Sequence, residues 1–380
     1  MEKVYILGGL RTPIVTKNGR FKAIRPEHFG ARVLEALLQR YPLQALDGIF
    51  CGNAVGTGGN IARLMALEAG VDPAVPACTV DMQCASAAAA LDFAFSKLAS
   101  GQGDVYIAGG IESSSLQPVR QYDPKDDRYA LFPQGCYKTA QFSPGEFSQT
   151  AMLEGAERTA RTEQVTRQEL DEWVLRSHQR AAAAQKAGFL QDCIVPIQDW
   201  QKDDGIRAHM SQRLLDRLPP ILGEQSLTNA GNSCLINDGA ALAVLCSERY
   251  VRAHALQPLA RMLAVAAVGG DPAESPRGAM RTADCLLEQA GLSYQAMDAI
   301  EFNEAFAVID VLFSRRFPEL VERYNRFGGA LAYGHPYGAS GTILLLHLLK
   351  SLQYVQGHYG ILSIAGAGGM GEAVLVEACR

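Results

Sequence analysis

Short apolar runs bounded by glycine alternate with amphipathic or alanine-rich stretches along most of the chain. The runs at residues 4–7, 48–51, 105–108, 299–302 and 360–364 are β-branched and too short for helices, so they predict strands. Polar residues do not alternate within them, which predicts a sheet covered on both faces. Residues 29–39, 85–98, 281–290 and 341–352 carry helical character between the runs. The pattern is α/β.

An internal repeat orders these elements. Ala45-Leu46-Asp47-Gly48-Ile49 matches Ala296-Met297-Asp298-Ala299-Ile300, and Cys84-Ala85-Ser86-Ala87 matches Gly338-Ala339-Ser340-Gly341. Further on, Tyr106-Ile107-Ala108-Gly109 matches Ser363-Ile364-Ala365-Gly366. The order is kept at a nearly constant offset of roughly 250 residues, so the two halves read as duplicated. Residues 119–235 have another character: 121–149 is polar, aromatic and turn-rich, and 167–188 reads as a helix with a glycine stop.

Composition narrows the class. The chain has 380 residues, which suggests two or three packed domains. Its 48% apolar and 20% charged content is that of a soluble globular protein. A net charge of −5 gives no general attraction to nucleic acid or acidic membranes. Nine cysteines, an odd number without a C-x-x-C pair, fit free thiols in a reducing compartment better than disulfides or a zinc site. No metal is expected. The N-terminal residues do not read as a secretory leader and no apolar run reaches membrane-spanning length, so a cytoplasmic location is expected.

Three residues stand out chemically. Cys84 precedes an alanine-rich helix, where the positive end of the helix dipole should favour thiolate; taken alone, such a cysteine is more often a buried apolar filler. His335 lies among small residues that let a ligand approach, and is the candidate base. His28, His178, His209, His254 and His358 sit in contexts typical of the surface, whereas His347, on an apolar helix, is expected in a core or interface. Asn303, at a predicted strand end, is a donor and acceptor or simply a turn residue. Residues 366–371 spell G-x-G-x-x-G, but a strand-like 373–376 follows instead of a helix, so the dinucleotide fingerprint is rejected. Residues 56–59 lack the Lys-Ser/Thr of a P-loop.

Asp81-Met82-Gln83-Cys84-Ala85-Ser86, Asn303-Glu304-Ala305-Phe306-Ala307 and Gly334-His335-Pro336-Tyr337-Gly338-Ala339-Ser340-Gly341 together resemble three motifs of the thiolase family. The resemblance runs from Arg11-Thr12-Pro13-Ile14 to the terminal strand. It implies a thiolase fold: two pseudo-symmetric α/β halves in five layers (αβαβα) plus a loop domain. Residues 1–118 with 236–257 would form the first half, 119–235 the loop domain that covers coenzyme A, and 258–380 the second half.

The same resemblance implies roles. Cys84 would be the nucleophile that carries the acyl group, and His335 the group that deprotonates it. Asn303 would hold a water that, with His335, stabilises an enolate oxygen. The backbone N–H groups of Cys84 and Ala367 would form the oxyanion hole. Coenzyme A, as substrate or product and not as a resident cofactor, would meet Ser233 and Cys234 in a pantetheine loop, where Cys234 replaces the usual serine. Arg207 would lie near the nucleotide, though a solvated loop charge is an equal reading. Met152 and Phe306 would line the pocket, with Ala151 in place of a histidine. Acyl-CoA thioesters are the expected partners, in a homodimer or a tetramer, with neither nucleic acid nor membrane.

One departure matters. Ala365 stands where the family carries its acid/base cysteine. Claisen condensation or thiolytic cleavage of 3-ketoacyl-CoA by an acyltransferase is the leading reading. Cys234 could supply the missing thiol, the enolate could come from decarboxylation, or Cys84 could pass its acyl group to another nucleophile, including water. A non-catalytic acyl-CoA-binding relative is the reading of another class.

Overall fold

The computed structural model describes residues 2–56, 58–145 and 148–379. Thr57, within the Gly56–Gly59 stretch, and Glu146 and Phe147, within the turn-rich segment, lie outside the described residues.

Nine strands carry the frame: β1 (Val4–Arg11), β2 (Gly48–Gly52), β3 (Ala77–Val80), β4 (Val105–Ser113), β5 (Asn237–Ser247), β6 (Ala260–Val268), β7 (Ala299–Phe302), β8 (Tyr359–Gly366) and β9 (Met370–Ala378). Among the described residues, eight helices of eight residues or more accompany them: α1 (Pro26–Arg40), α2 (Ile61–Glu68), α3 (Ser86–Ala99), α4 (Ala151–Thr162), α5 (Arg167–Ala187), α6 (Gly278–Ala290), α7 (Ala307–Arg316) and α8 (Ser340–Val355). The strand order is β7-β8-β9-β6-β1-β5-β4-β2-β3, with the short Val15–Thr16 strand beside β5.

The repeat is visible in this order. In one half β2 runs parallel to β4, which is antiparallel to β5, which is antiparallel to β1. In the other, β7 runs parallel to β8, which is antiparallel to β9, which is antiparallel to β6. Each sequence match falls on equivalent elements: β2 with β7, the start of α3 with the start of α8, and β4 with β8. The halves join where β1 meets β6, with Val4 opposite Met262 and Ile6 opposite Ala260.

Three buried clusters define the layers. Val33, Leu34 and Met65 of α1 and α2 pack on Ile49, Ile107 and Val244 of the first half's sheet. The inner faces of both halves, through Ile6, Ala108, Leu245, Leu362 and Val374, close on Leu91, Ala94, Leu345 and Leu348 of α3 and α8. Beyond the second half, Ile300, Ile361 and Leu375 pack on Leu286, Leu287, Val311 and Phe313 of α6 and α7. This gives helix, sheet, helix, sheet, helix, five layers as expected. Leu345 and Leu348 are 0% exposed, and burial of such a side chain contributes about 2 kcal/mol.

The central helix layer sets the site. A Cβ on Gly341 would lie 2.3 Å from the Ala88 backbone nitrogen, so α3 and α8 approach backbone to backbone near their first turns. Small residues there are a packing requirement. Helix α5 begins with a capping box of Thr166 and Glu169 and ends on Gly188 at φ 73°, the glycine stop expected from the sequence. One expectation fails on this helix. His178 is 3% exposed, because it faces inward and accepts the Arg207 backbone N–H at 3.2 Å. His347 is buried, as expected, edge-on to Tyr333.

Candidate active site

Two equivalent turns, one entering α3 and one entering α8, carry the candidate chemistry. After β3 the chain reverses at Gln83, whose φ of 53° is left-handed and costs on the order of 1 kcal/mol for a non-glycine residue. Local bonds hold it there. The Gln83 N–H donates to Asp81 Oδ1 at 2.9 Å, and Ser86 Oγ accepts from Met82 N–H at 2.9 Å and donates to the Gln83 carbonyl at 2.5 Å. Cys84 follows, half-buried.

At the second turn Gly334 adopts φ 104°, and a Cβ there would overlap the Asn237 amide. Asn237 Oδ1 accepts the His335 backbone N–H at 2.9 Å, and the Leu235 carbonyl shares it at 3.2 Å. The imidazole is 1% exposed. His335 Nδ1 lies 2.6 Å from Ser340 Oγ, which donates its own proton to the Pro336 carbonyl at 3.0 Å. Ser340 therefore accepts from Nδ1–H, leaving Nε2 unprotonated toward Asn303 Nδ2 at 3.3 Å. Burial lowers the His335 pKa to about 3, so the ring is neutral. Ser86 and Ser340 are repeat-related residues doing related work, each bracing the turn before its helix.

Electrostatics at Cys84 correct one expectation. Burial, then the charge of Glu112, push its thiol up to about 12, against the backbone N–H groups of Cys84 and Ala367, which favour the thiolate. The helix end does not win. Cys84, just before the Ala85 N-cap of α3, rests as a thiol, because burial and the Glu112 charge outweigh the donors around it. The Ala367 N–H that favours the thiolate comes from the glycine-rich turn between β8 and β9, where Gly368 and Gly369 take φ 87° and 80°. That turn joins two antiparallel strands, which bears out the rejection of the dinucleotide fingerprint.

Tyr337 ties the groups together. Its ring stands edge-on to His335 at 4.9 Å between centroids, and burial raises its hydroxyl pKa, reinforced by the neighbouring Cys234, Cys84 and Glu112 when they ionise. It lies in the His335 motif, but sequence alone gave it no role. Cys234 is held by its N–H to the Ala305 carbonyl at 2.9 Å, and the neighbouring Ser233 pairs with Phe306. Residues 233–236 thus run between the Asn303 and His335 segments. Burial, then the charge on Cys84, push the Cys234 thiol up.

The remaining candidates sit farther from this centre or beside it. Phe306 is buried at the start of α7, and Met152, half-buried on α4, packs with Cys234 against the cluster that contains Phe306 and Ala365. Ser233 Oγ is buried without a hydrogen-bond partner. Arg207 is exposed on the loop docked to His178. Ala365, 4% exposed, faces α6, where a Cβ on Gly278 would meet it at 3.5 Å. A cavity of about 720 Å³ elsewhere, lined in part by Tyr41, Leu259 and Lys350, contains none of these residues. Among the described residues, no helix is long and apolar enough to cross a membrane.

Fold and site define a duplicated α/β protein with a cysteine, a histidine and an asparagine where the repeats meet. The chain belongs to the thiolase family. Residues 4–249 match the model of the thiolase N-terminal domain and residues 256–378 that of the thiolase C-terminal domain. It is 33% identical over 398 residues to the beta-ketoadipyl-CoA thiolase of Pseudomonas putida, covering 99% of this chain and 100% of the relative. The crystal structure of the Bacillus anthracis acetyl-CoA acetyltransferase superposes with a TM-score of 0.93 at 30% identity, over 100% of this chain and 99% of that one. Human mitochondrial 3-ketoacyl-CoA thiolase gives a TM-score of 0.90 at 27% identity over the same shares.

Proposed function

We propose that this protein is a thiolase-type acyltransferase that cleaves or forms 3-ketoacyl-CoA through an acyl group on Cys84. The observation that carries the reading is the buried Asn303–His335 pair, Nδ2 to Nε2 at 3.3 Å, in the site that also holds Cys84, whose thiolate the backbone N–H groups of Cys84 and Ala367 favour. His335 and Asn303 stand as the hydrogen-bonded base and donor of the same site.

In the cleavage direction the Cys84 sulfur attacks the C3 carbonyl as its proton passes to His335 Nε2. The two N–H groups receive the developing oxyanion, the kind of preorganised donor worth about 3 kcal/mol each. The C2–C3 bond breaks, its electrons become the enolate of the departing acyl-CoA, and the enolate oxygen is met from the Asn303–His335 side. C2 then takes a proton. Ala365 has none to give, whereas Cys234, held between the Asn303 and His335 segments and protonated at rest, does. A coenzyme A thiol finally takes the acyl group from Cys84, returning a proton to the site. Condensation is the reverse. Met152, Phe306 and Ser233 border the acyl and pantetheine path, and Arg207 is the cation offered to the nucleotide. The same reading takes the protein as a cytoplasmic homodimer.

Brief incubation with acetoacetyl-CoA, followed by intact-mass measurement, tests this. An acetyl adduct on Cys84 is expected, since it requires a broken carbon–carbon bond. An acetoacetyl adduct would reduce the protein to acyl transfer or hydrolysis. No adduct would overturn the reading.

A further inference from the structure

The carboxylate of Glu112, at the end of β4, is 0% exposed and has no cationic partner among its hydrogen bonds. Four groups donate to it instead. Asn53 Nδ2 reaches Oε1 at 3.0 Å, Ala54 N–H reaches Oε2 at 2.9 Å, and Val55 N–H lies 3.3 Å from both oxygens. The Gly338 N–H reaches Oε2 at 2.9 Å. The first three belong to the loop after β2, in the first half of the duplicated fold. Gly338 belongs to the turn between His335 and Ser340, in the second.

Asn237 Oδ1 holds the start of this turn through the His335 N–H at 2.9 Å, and Glu112 holds its middle through Gly338. A Cβ on Gly110 would lie 1.8 Å from the Gly338 carbonyl oxygen and one on Gly52 would lie 2.5 Å from it, so the turn rests directly on the strand ends. A Cβ on Gly338 would meet Asn53 Cα at 2.7 Å and Glu112 Oε2 at 3.0 Å. Backbone approaches this close leave no side chain to brace the contact. A carboxylate that accepts from both sides supplies the brace.

We propose that Glu112 is a positioning residue: it locks the His335 turn onto the first half of the fold and, when ionised, adds a negative charge to the Cys84 site. Its charge is the second cause, after burial, of the raised Cys84 pKa, and it bears on Tyr337 as well. A charge that holds the nucleophile as a thiol keeps the buried sulfur unreactive until a substrate carbonyl engages the two N–H groups. The assignment rests on Cys84 being the nucleophile.

The test compares wild type, Glu112→Gln and Asn53→Ala. Glu112→Gln keeps the shape, removes the charge and turns an N–H₂ toward N–H donors. It is expected to lower kcat about 10- to 100-fold with KM nearly unchanged, the effect of a sub-ångström misplacement. It is also expected to shift the midpoint of Cys84 alkylation by iodoacetamide to lower pH, because loss of a negative neighbour favours thiolate. Asn53→Ala removes one tie and keeps the charge, so kcat should fall several-fold while the alkylation midpoint stays. A residue that only stabilised the fold would lower the melting temperature and leave the midpoint unmoved. An unmoved midpoint or an unchanged kcat in Glu112→Gln overturns the proposal. If that variant does not fold, an unchanged kcat in Asn53→Ala does so. Alkylation needs no acyl-CoA, so a wild type that forms no acyl adduct would sink the functional reading while leaving this one readable.

Discussion

Ser340 Oγ sits 2.6 Å from His335 Nδ1 and spends its own proton on the Pro336 carbonyl, so it fixes which imidazole nitrogen is free to act. A neutral ring has one donor and one acceptor nitrogen, and the donor is committed here. Ser340→Ala frees the tautomer and leaves a buried N–H unpartnered, at a cost of about 1–3 kcal/mol in stability. The expected loss in kcat is at least about tenfold, part of the 10²–10⁴ that a positioned base contributes. Ser340→Thr keeps the hydroxyl and should recover most of it. Steady-state kinetics of the three proteins decide. Equal rates in wild type and Ser340→Ala would remove the tautomer from the account.

The rate should also have an unusual pH profile. His335 at about 3 and Cys84 at about 12 leave both groups neutral across the ordinary range. An unperturbed histidine base would give an inflection near 6.5. None is expected from His335. The group of the site that titrates within the range is Glu112, raised to about 7 by burial against the N–H groups of Ala54, Gly338 and Val55. A shallow inflection near 7 that disappears in Glu112→Gln is the expected result for kcat. An inflection near 6.5 that survives Glu112→Gln would return His335 to an ordinary imidazole.

Much of the architecture was legible in the residues, for a physical reason. The β-branched runs at 299–302 and 105–108 became β7 and the first part of β4, because short apolar stretches between glycines have few other ways to satisfy their backbone. The duplication was legible because equivalent positions meet equivalent constraints, as Ser86 and Ser340 do. Strands β5 and β6 were not singled out, since alanine-rich 240–243 and 264–267 carry no strand preference and are fixed by pairing with neighbours distant in sequence. In the site, Cys84, Asn303 and His335 stood in recognisable motifs; Tyr337 lay inside the His335 motif without an assigned role, and Glu112 lay outside all three. An ionisable residue directly ending a fully apolar strand, as in Ile111-Glu112-Ser113, was the available signal for Glu112. The resting state of Cys84 was misjudged because helix polarity is local, while the burial and the Glu112 charge that outweigh it come from the tertiary fold.

Two buried carboxyls outside the site make stability fall with rising pH. Glu372 is raised to about 9 by burial, then by the charge of Asp92, and Glu301 to about 8 by burial. Below the usual carboxyl pKa both states of the chain are protonated and the full stability is present. As pH rises, the unfolded chain ionises first and the folded chain resists, so stability is lost up to pH 8–9. Each group contributes on the order of 1 kcal/mol per pH unit crossed. Glu372→Gln removes one of them. Its melting temperature should match wild type at pH 5 and exceed it by several degrees at pH 9 by calorimetry; a wild-type-like decline in the variant would show that Glu372 does not titrate in this way.

The second thiol gives the most discriminating comparison. Ala365 cannot exchange a proton with the α-carbon, and Cys234 is held by its N–H on the Ala305 carbonyl, next to the Ser233–Phe306 pairing beside the Asn303 segment, with a thiol raised by burial and by ionisation of Cys84. Cys234→Ala should therefore leave acetylation of Cys84 by acetyl-CoA intact. It should slow deuterium uptake at the acetyl methyl in D₂O by about 10²–10⁴-fold, the contribution of a positioned acid/base group. Ala365→Cys places a thiol next to Gly278, which offers no side chain to obstruct it, at the position where the family carries its acid/base cysteine. Exchange should return in Cys234→Ala/Ala365→Cys if a thiol at either position can serve the α-carbon. Unchanged exchange in Cys234→Ala would instead assign Cys234 to pantetheine contact alone. The proton would then have to come from elsewhere, or the enolate from loss of a carboxylate, which deuterium-free turnover of a malonyl thioester would reveal.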